Sequence, residues 1–426
     1  MVKKVYVRID SVAFKGYGVA RIHGKVIFIP YTATGDQGWI EIIEEKKNYS
    51  TGRLIQIVEP SPWRVNSPCP YFGSCGGCQW QHIDYSIHGE LKKEILRESL
   101  TRLGKLKKIP PISVAPLLKP YGYRIRVQLK VKGKAMGYYQ EGSHRIVDIE
   151  RCPISHPLVN QIIRNLREEL ALLLPIEEIE ISVSPEEEKG VLLFHPLSSD
   201  QKMEDFPKQF LQTHPVLRGI AIARKNGFTL FGDPHLNFTI PWNQGEEKGS
   251  LRFRISPGSF FQAHLEQNQR LIQTVLQFSE VNKAEKVLDL YAGAGNLTLP
   301  LALGAKEVIG IEENGMAVED GRFNAERNGI KNVRFIRGTV EDILKESAKK
   351  PDLIVLDPPR TGCKTILDQV VRLKPQKIVY VSCEPTTLSR DFCLFSDRGY
   401  SLRRLSLIDM FPQTYHMEII GLLQHS

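Results

Sequence analysis

The reactive groups of this chain are its cysteines, and they fall in two sets: Cys69, Cys75, Cys78 and Cys152, then Cys363, Cys383 and Cys393. An odd number argues against a disulfide framework. Cys383 follows the apolar run KIVYVS and opens Cys383-Glu384-Pro385-Thr386-Thr387. Two carboxylates hold comparable places. Asp357 closes the run DLIVL in Asp357-Pro358-Pro359-Arg360-Thr361-Gly362, and Glu418 stands near the C-terminus in Tyr415-His416-Met417-Glu418. A thiol and two carboxylates at strand ends can supply a nucleophile, a group that orients a substrate and a base that takes a proton. Read singly, each has a plainer meaning. A lone Cys after a buried strand is usually a small core residue, Asp-Pro-Pro-Arg can be a turn, and Glu418 in HMEIIGLL can be an exposed edge carboxylate.

A ligand loop precedes these residues. The run KVLDL ends in Tyr291-Ala292-Gly293-Ala294-Gly295-Asn296, and the next apolar run ends in Glu312, 19 residues after Gly293. Glycines just past a parallel strand let backbone approach a ligand at the carboxyl edge of the sheet. A carboxylate at that spacing suits a ribose diol. A dinucleotide fingerprint would want a third Gly at 298, which is Thr. NAD and S-adenosylmethionine both fit these features, and the plain alternative is a tight turn.

The first cysteine set reads Cys69-x5-Cys75-Gly-Gly-Cys78, with Cys152 far downstream. Zinc sites usually bring two close pairs, so one Cys-x-x-Cys with two outliers matches poorly. Four thiolates suit a [4Fe–4S] cluster, and zinc stays open on spacing alone. The formal charge is +9, while residues 90–134 carry 13 Lys and Arg against three Glu, so the rest of the chain is near neutral. That stretch is either a solvated basic face or a phosphate-contacting surface. Within it Tyr121, Tyr123, Arg124 and Arg126 interleave rings and charges, a pattern suited to stacking on a splayed base.

The elements that must position these groups divide the chain in three. Residues 1–60 hold five short apolar or alternating runs, which predict a small OB-like β-barrel. Residues 61–255 follow a Pro-rich linker and predict a central α+β domain bearing the cysteines. Residues 84–107 predict a helix with Ile87, Leu91, Ile95, Leu96, Leu100 and Leu103 on one face; it could pack on the central domain or on the one that follows. LVNQIIRNLREELALLL (158–174) predicts another helix. From 256 to 426 apolar strands alternate with helices, which predicts an open, mostly parallel α/β sheet of Rossmann-like type. No run approaches the ~20 apolar residues of a membrane span, and MVKKVYVRID reads as a charged strand rather than a secretory signal. A cytoplasmic monomer is expected.

Methylation of uracil at C5 would use all of these parts. C5 is too weak a nucleophile to take a methyl group from a sulfonium unaided. A thiolate adding at C6 makes it an enolate carbon, and a base must afterwards remove the C5 proton. SPGSFFQAH (256–264), DLYAGAGNLTLPLA (289–302), VLDPPRTG (355–362), VSCEPTTLSRD (381–391) and MFPQTYHMEII (410–420) together resemble the RNA uracil-5-methyltransferases, nearly end to end. CGGCQWQH (75–82) and RCP (151–153) look like that family's iron–sulfur subset, and Gly16-Tyr17-Gly18-Val19-Ala20 looks like a TRAM domain.

The resemblance implies Cys383 as nucleophile, Glu418 as base and Asp357 on the N3/O4 edge of the uracil. It implies Gln262, Tyr291, Gly293 and Glu312, with Asp342 near the adenine, around S-adenosylmethionine. It further implies Cys69, Cys75, Cys78 and Cys152 around a [4Fe–4S] cluster, and Tyr123, Arg124 and Arg126 on RNA. Where the family more often has Asn-Phe this chain has Asn296-Leu297, and Cys363 and Cys393 match no family role. The expected partner is a structured RNA, tRNA T-loop or large-subunit rRNA, with no DNA; a cluster and a TRAM domain are commoner on the rRNA side. Two rivals stand beside this reading: an amino-group methyltransferase using Asp-Pro-Pro-Arg, and a non-catalytic RNA-binding protein.

Overall fold

The computed structural model describes residues 4–170, 176–198, 205–244, 247–346 and 350–425. At the N-terminus, residues 4–59 form a six-stranded barrel-like sheet around Val7, Ile9, Ala20, Ile27, Ile29 and Ile40. The first expected strand is broken in two, Lys4–Arg8 and Ser11–Val12. Between them Ile9 exchanges backbone hydrogen bonds with Gly35 and Asp36, which turns the chain onto a new pairing partner.

A seven-stranded sheet follows, running from Ile146–Asp148 at one edge through Arg126–Lys132 and Ile176–Ser184 to Gly227–Gly232 at the other. The helix Pro157–Glu168 covers it, burying Val159, Ile162, Ile163 and Leu166. His156 caps that helix and Pro157 starts it, where a missing N–H costs nothing. The end of the expected helix, residues 171–174, lies outside the described residues. A hairpin, Leu236–Gln244 with Glu247–Ile255, leads into the last part of the chain.

The C-terminal sheet sets the site. Its first five strands, Lys286–Leu290, Glu307–Glu312, Val333–Arg337, Leu353–Leu356 and Lys377–Ser382, are all parallel. Glu418–His425 then pairs antiparallel with Lys377–Ser382, and Tyr400–Ile408 pairs with it on the far side. The chain runs outward in both directions from Lys286–Leu290 and Leu353–Leu356, so the switch point where such sheets bind ligands falls between those two strands.

Two pieces from before residue 115 complete this sheet. Strand Ile112–Val114 adds in parallel to Tyr400–Ile408. Helix His88–Arg102 packs on helix Pro385–Ser396, burying Leu91, Ile95, Leu96 and Leu100 in the core of the C-terminal sheet. Of the two placements open to it from sequence, it occupies the one on the C-terminal sheet. Leu103, expected on its buried face, is exposed, because the helix stops at Arg102. No described helix is long and apolar enough to cross a membrane.

Because Leu96 is fully buried in this contact, Leu96→Ala is expected to destabilise the protein by about 2–5 kcal/mol. A thermal melt of the full chain checks this, and an unshifted midpoint contradicts the packing described.

Candidate active site

The Gly-rich turn follows the strand Lys286–Leu290. Gly293 and Gly295 have φ of +54° and +93°, conformations a side chain would strain. A Cβ at Gly295 would press on Leu299 and Phe335, whereas one at Gly293 would meet nothing within 4 Å. Gly293 therefore borders open space. That space is a cleft lined by Gln262, Asp289, Tyr291, Gly293, Asn296 and Asp357, among others. Glu312 closes the turn from the next strand: its carboxylate accepts from Gly293 N at 2.9 Å and Asn314 N at 2.7 Å. Four of the five residues expected around the donor are thus brought together, Glu312 by its bond to Gly293. Asp342 is the exception. It lies exposed in the first turn of Val340–Glu346, tied to Thr339 and Lys345, and does not line the cleft.

Residues the sequence did not flag hold this cleft. Buried Asp320 accepts from Ser256 N at 2.8 Å, Ser256 Oγ at 2.6 Å and Ser259 Oγ at 2.7 Å. The Ser-Pro-Gly-Ser motif is thereby pinned, and with it Phe260 to Gln262 over the turn. Buried Asp289 takes a hydrogen bond from Thr298, yet its Oδ1 has no protein partner. Burial, with Asp357 and Glu312 nearby, pushes its carboxyl up to about 7.

Cys383, Asp357 and Glu418 meet at the carboxyl edge of the sheet. Asp357 follows Leu353–Leu356, Cys383 follows Lys377–Ser382, and Glu418 opens the antiparallel strand between Lys377–Ser382 and Tyr400–Ile408. Glu418 is therefore an interior carboxylate, 4% exposed, and not an edge one. Burial and the neighbouring Asp357 hold its carboxyl well above the usual range. Burial likewise raises Asp357 to about 7. Burial first, then the Glu418 charge, push the Cys383 thiol up to about 11, while Arg360, within hydrogen-bonding reach of it, pulls the other way. Arg360 was legible only as part of Asp-Pro-Pro-Arg, and here it offsets the acidic charge around the thiol. Its loop is fastened by Asp391, which accepts from Cys363 N at 2.8 Å and Tyr380 Oη at 2.7 Å, while Arg390 pairs with Asp391 and donates to Thr361 O. Buried Cys363 thus has a structural place.

Of the expected RNA contacts, Tyr123 is not a surface ring. Tyr123 is buried, stacked on His264 with ring centroids 4.7 Å apart, and donates to Pro412 O at 3.0 Å. Arg126 donates to Ser259 O and pairs with Glu180, and Arg124 donates to Arg126 O while lining the cysteine cavity. Alternating residues of an extended segment point to opposite sides. Here Tyr123 is packed on the inner side, while Arg124 and Arg126 stay half-buried with their guanidinium groups engaged within the protein. The exposed cations of the basic stretch are Arg97, Arg102, Lys105, Lys107, Lys108, Lys119, Lys132 and Lys134.

Cys69, Cys75, Cys78 and Cys152 line one cavity with Tyr71, Phe72 and Tyr138. Their loop is fixed to the central sheet where Gly76 N donates to Tyr139 O, and Asn160 bonds both backbone groups of Cys152. Among the described residues, no three His, Cys, Asp or Glu side chains are set to hold a metal ion.

Residues 121–426 match the model of the tRNA (uracil-5-)-methyltransferase family, and residues 2–55 match the TRAM domain. The chain belongs to the tRNA (uracil-5-)-methyltransferase family. It is similar to an uncharacterized RNA methyltransferase of Aquifex aeolicus, 35% identical over 99% of each chain. It is also similar to the 23S rRNA (uracil(1939)-C(5))-methyltransferase RlmD of Pectobacterium atrosepticum, 34% identical over 99% of this chain and 94% of that one. Among solved structures it resembles the Pyrococcus abyssi tRNA (uracil-54, C5)-methyltransferase in complex with S-adenosyl-L-homocysteine. The TM-score is 0.76 and the identity 26%, over 98% of this chain and 99% of that one. This uracil-5-methyltransferase is accordingly an RNA-modifying enzyme that uses S-adenosylmethionine, with a TRAM barrel ahead of a Rossmann-like sheet.

A thiol held near 11 is almost wholly protonated in the enzyme alone. Alkylation of Cys383 at pH 8, followed by peptide mapping, is expected to be about two orders of magnitude slower than that of a model thiol. Arg360→Gln should slow it further, since it removes a charge that favours the thiolate. Alkylation at the model rate contradicts the burial argument.

Proposed function

We propose that this enzyme methylates C5 of one uridine in a structured RNA through a covalent bond between Cys383 Sγ and C6. The observation that carries this reading is the meeting of Cys383, Asp357 and Glu418 at one sheet edge, beside the cleft of the Gly-rich turn. S-adenosylmethionine supplies an electrophilic methyl group, with Gln262, Tyr291, Gly293 and Glu312 around it; Asp342 keeps only the family resemblance in its favour. Asp357, partly protonated near neutral pH, can both donate to and accept from the N3/O4 edge of the base. The Cys383 thiol gives up its proton to solvent, and Sγ adds at C6 as the C5–C6 double bond opens toward O4. C5 then forms its bond to the methyl group as the sulfonium–methyl bond breaks, its electron pair returning to sulfur and leaving S-adenosylhomocysteine. Glu418 takes the C5 proton, the C5–C6 double bond returns and Cys383 Sγ leaves. For that step Glu418 must be ionised, and the Arg360 charge favours the ionised form. The target base must leave its stack to reach the thiol, and the exposed Lys and Arg of 97–119 offer a surface for the flanking phosphates.

Identity favours large-subunit rRNA as the substrate, since the rRNA-acting relative stands at 34% and the tRNA-acting one at 26%. Labelled methyl transfer to unmodified 23S rRNA fragments and, separately, to tRNA checks reaction and substrate together. The expected product is 5-methyluridine in rRNA, abolished in Cys383→Ala. Glu418→Gln should trap a methylated RNA–protein adduct. A methylated amino group as product, or a fully active Cys383→Ala, points instead to an amino-group methyltransferase.

We also propose that the four clustered cysteines hold a [4Fe–4S] cluster. What supports this is that all four thiols line one cavity, and a cubane takes one thiolate at each of its four irons. Its part would be to staple the loop 69–82 to the central sheet. Anaerobically purified protein is expected to carry equimolar iron and sulfide, and Cys78→Ser to lose both together with thermal stability. Stoichiometric zinc in their place overturns the assignment.

A further inference from the structure

Lys92 belongs to the basic stretch, yet its side chain is fully buried. Its ammonium reaches Asp409 Oδ1 at 2.5 Å, His416 O at 2.5 Å and Phe411 O at 3.3 Å. An ammonium has three N–H donors, and these acceptors take all three. The Trp80 ring stands over it, 5.6 Å from Nζ. All three acceptors lie in residues 409–416, the loop that joins the last two strands and ends at Glu418.

The same loop is gripped at two further points. Tyr123 donates to Pro412 O, and Gln79 N and Trp80 N donate to Gln413 O at 3.2 and 3.1 Å. Gln413 has a φ of +68°, a conformation the loop keeps because its carbonyl is held. Filling space would not require a charge here, since an apolar side chain would do so without the desolvation an ammonium suffers. What an apolar side chain cannot do is draw a carboxylate and two carbonyls five residues apart onto one point.

We propose that Lys92 is a positioning residue for the proton-removal step. By gathering Asp409, Phe411 O and His416 O it fixes the loop that aims Glu418 at the C5 proton, and it does so from a helix remote in sequence. This rests on the reading of Glu418 as the base. The full chain carrying Lys92→Met tests it under single turnover, with methyl transfer and release of RNA from the adduct followed separately. Release is expected to slow on the order of 100-fold, while methyl transfer and the KM for RNA stay near the parent's. A denaturant-resistant, methyl-bearing adduct should accumulate, the species that Glu418→Gln also gives. Lys92→Met/Asp409→Asn leaves no unpaired buried charge and should show the same block at the parent's melting temperature. A double variant that folds and clears its adduct at the parent rate overturns the role. So does a Lys92→Met enzyme whose lost activity only tracks lost folded protein. A Glu418→Gln enzyme that traps no adduct overturns the reading of Glu418, and this role with it.

Discussion

Two buried carboxyls and a thiol share one point of the sheet edge, and their charges cannot all be expressed at once. Like charges held close in a dry setting raise one another's proton affinity. Glu418 and Asp357 are both raised, Cys383 is raised by burial and by Glu418, and Arg360 leans against all of this from the adjoining loop. The site is therefore a store of protons. A uracil edge that hydrogen-bonds Asp357 changes that balance, because a proton fixed on the carboxyl no longer opposes the thiolate.

Holding such a site requires that three strand ends and two loops not drift apart, and buried polar anchors do this. Asp391 fastens the Asp-Pro-Pro-Arg loop to the helix that follows Cys383. Asp320 fastens the Ser-Pro-Gly-Ser loop over the cleft. Lys92 fastens the loop that precedes Glu418. Each is an ionisable group with its neighbours already paired to it, so its removal would strand buried partners, a larger loss than the bond alone.

The same anchors join regions that look separate along the chain. Helix His88–Arg102 and strand Ile112–Val114 complete the C-terminal sheet, and the backbone beside Cys78 grips Gln413. A cut at 255 would leave the C-terminal sheet short of one strand and one covering helix.

Sequence alone determined the parts with a local signature. Hydrophobic runs of the right length gave the parallel strands, glycines past a strand end gave the ligand turn, and the residues that end those strands gave the reacting groups, because a parallel sheet sends every strand's carboxyl end to one edge. Only the tertiary structure decided matters that depend on what lies across space. Residues 121–126 read as an open ring-and-charge surface, but His264 stacks on Tyr123 and Ser259 and Glu180 engage Arg126, all more than 50 residues away. Lys92 counted as one more surface cation until Asp409 and two carbonyls, more than 300 residues on, closed around it. Glu418 looked like an edge residue until strand Tyr400–Ile408 took the place outside it. Periodicity reports which face of an element is apolar; it cannot report which remote group will pair with a charge, because that pairing is fixed by packing.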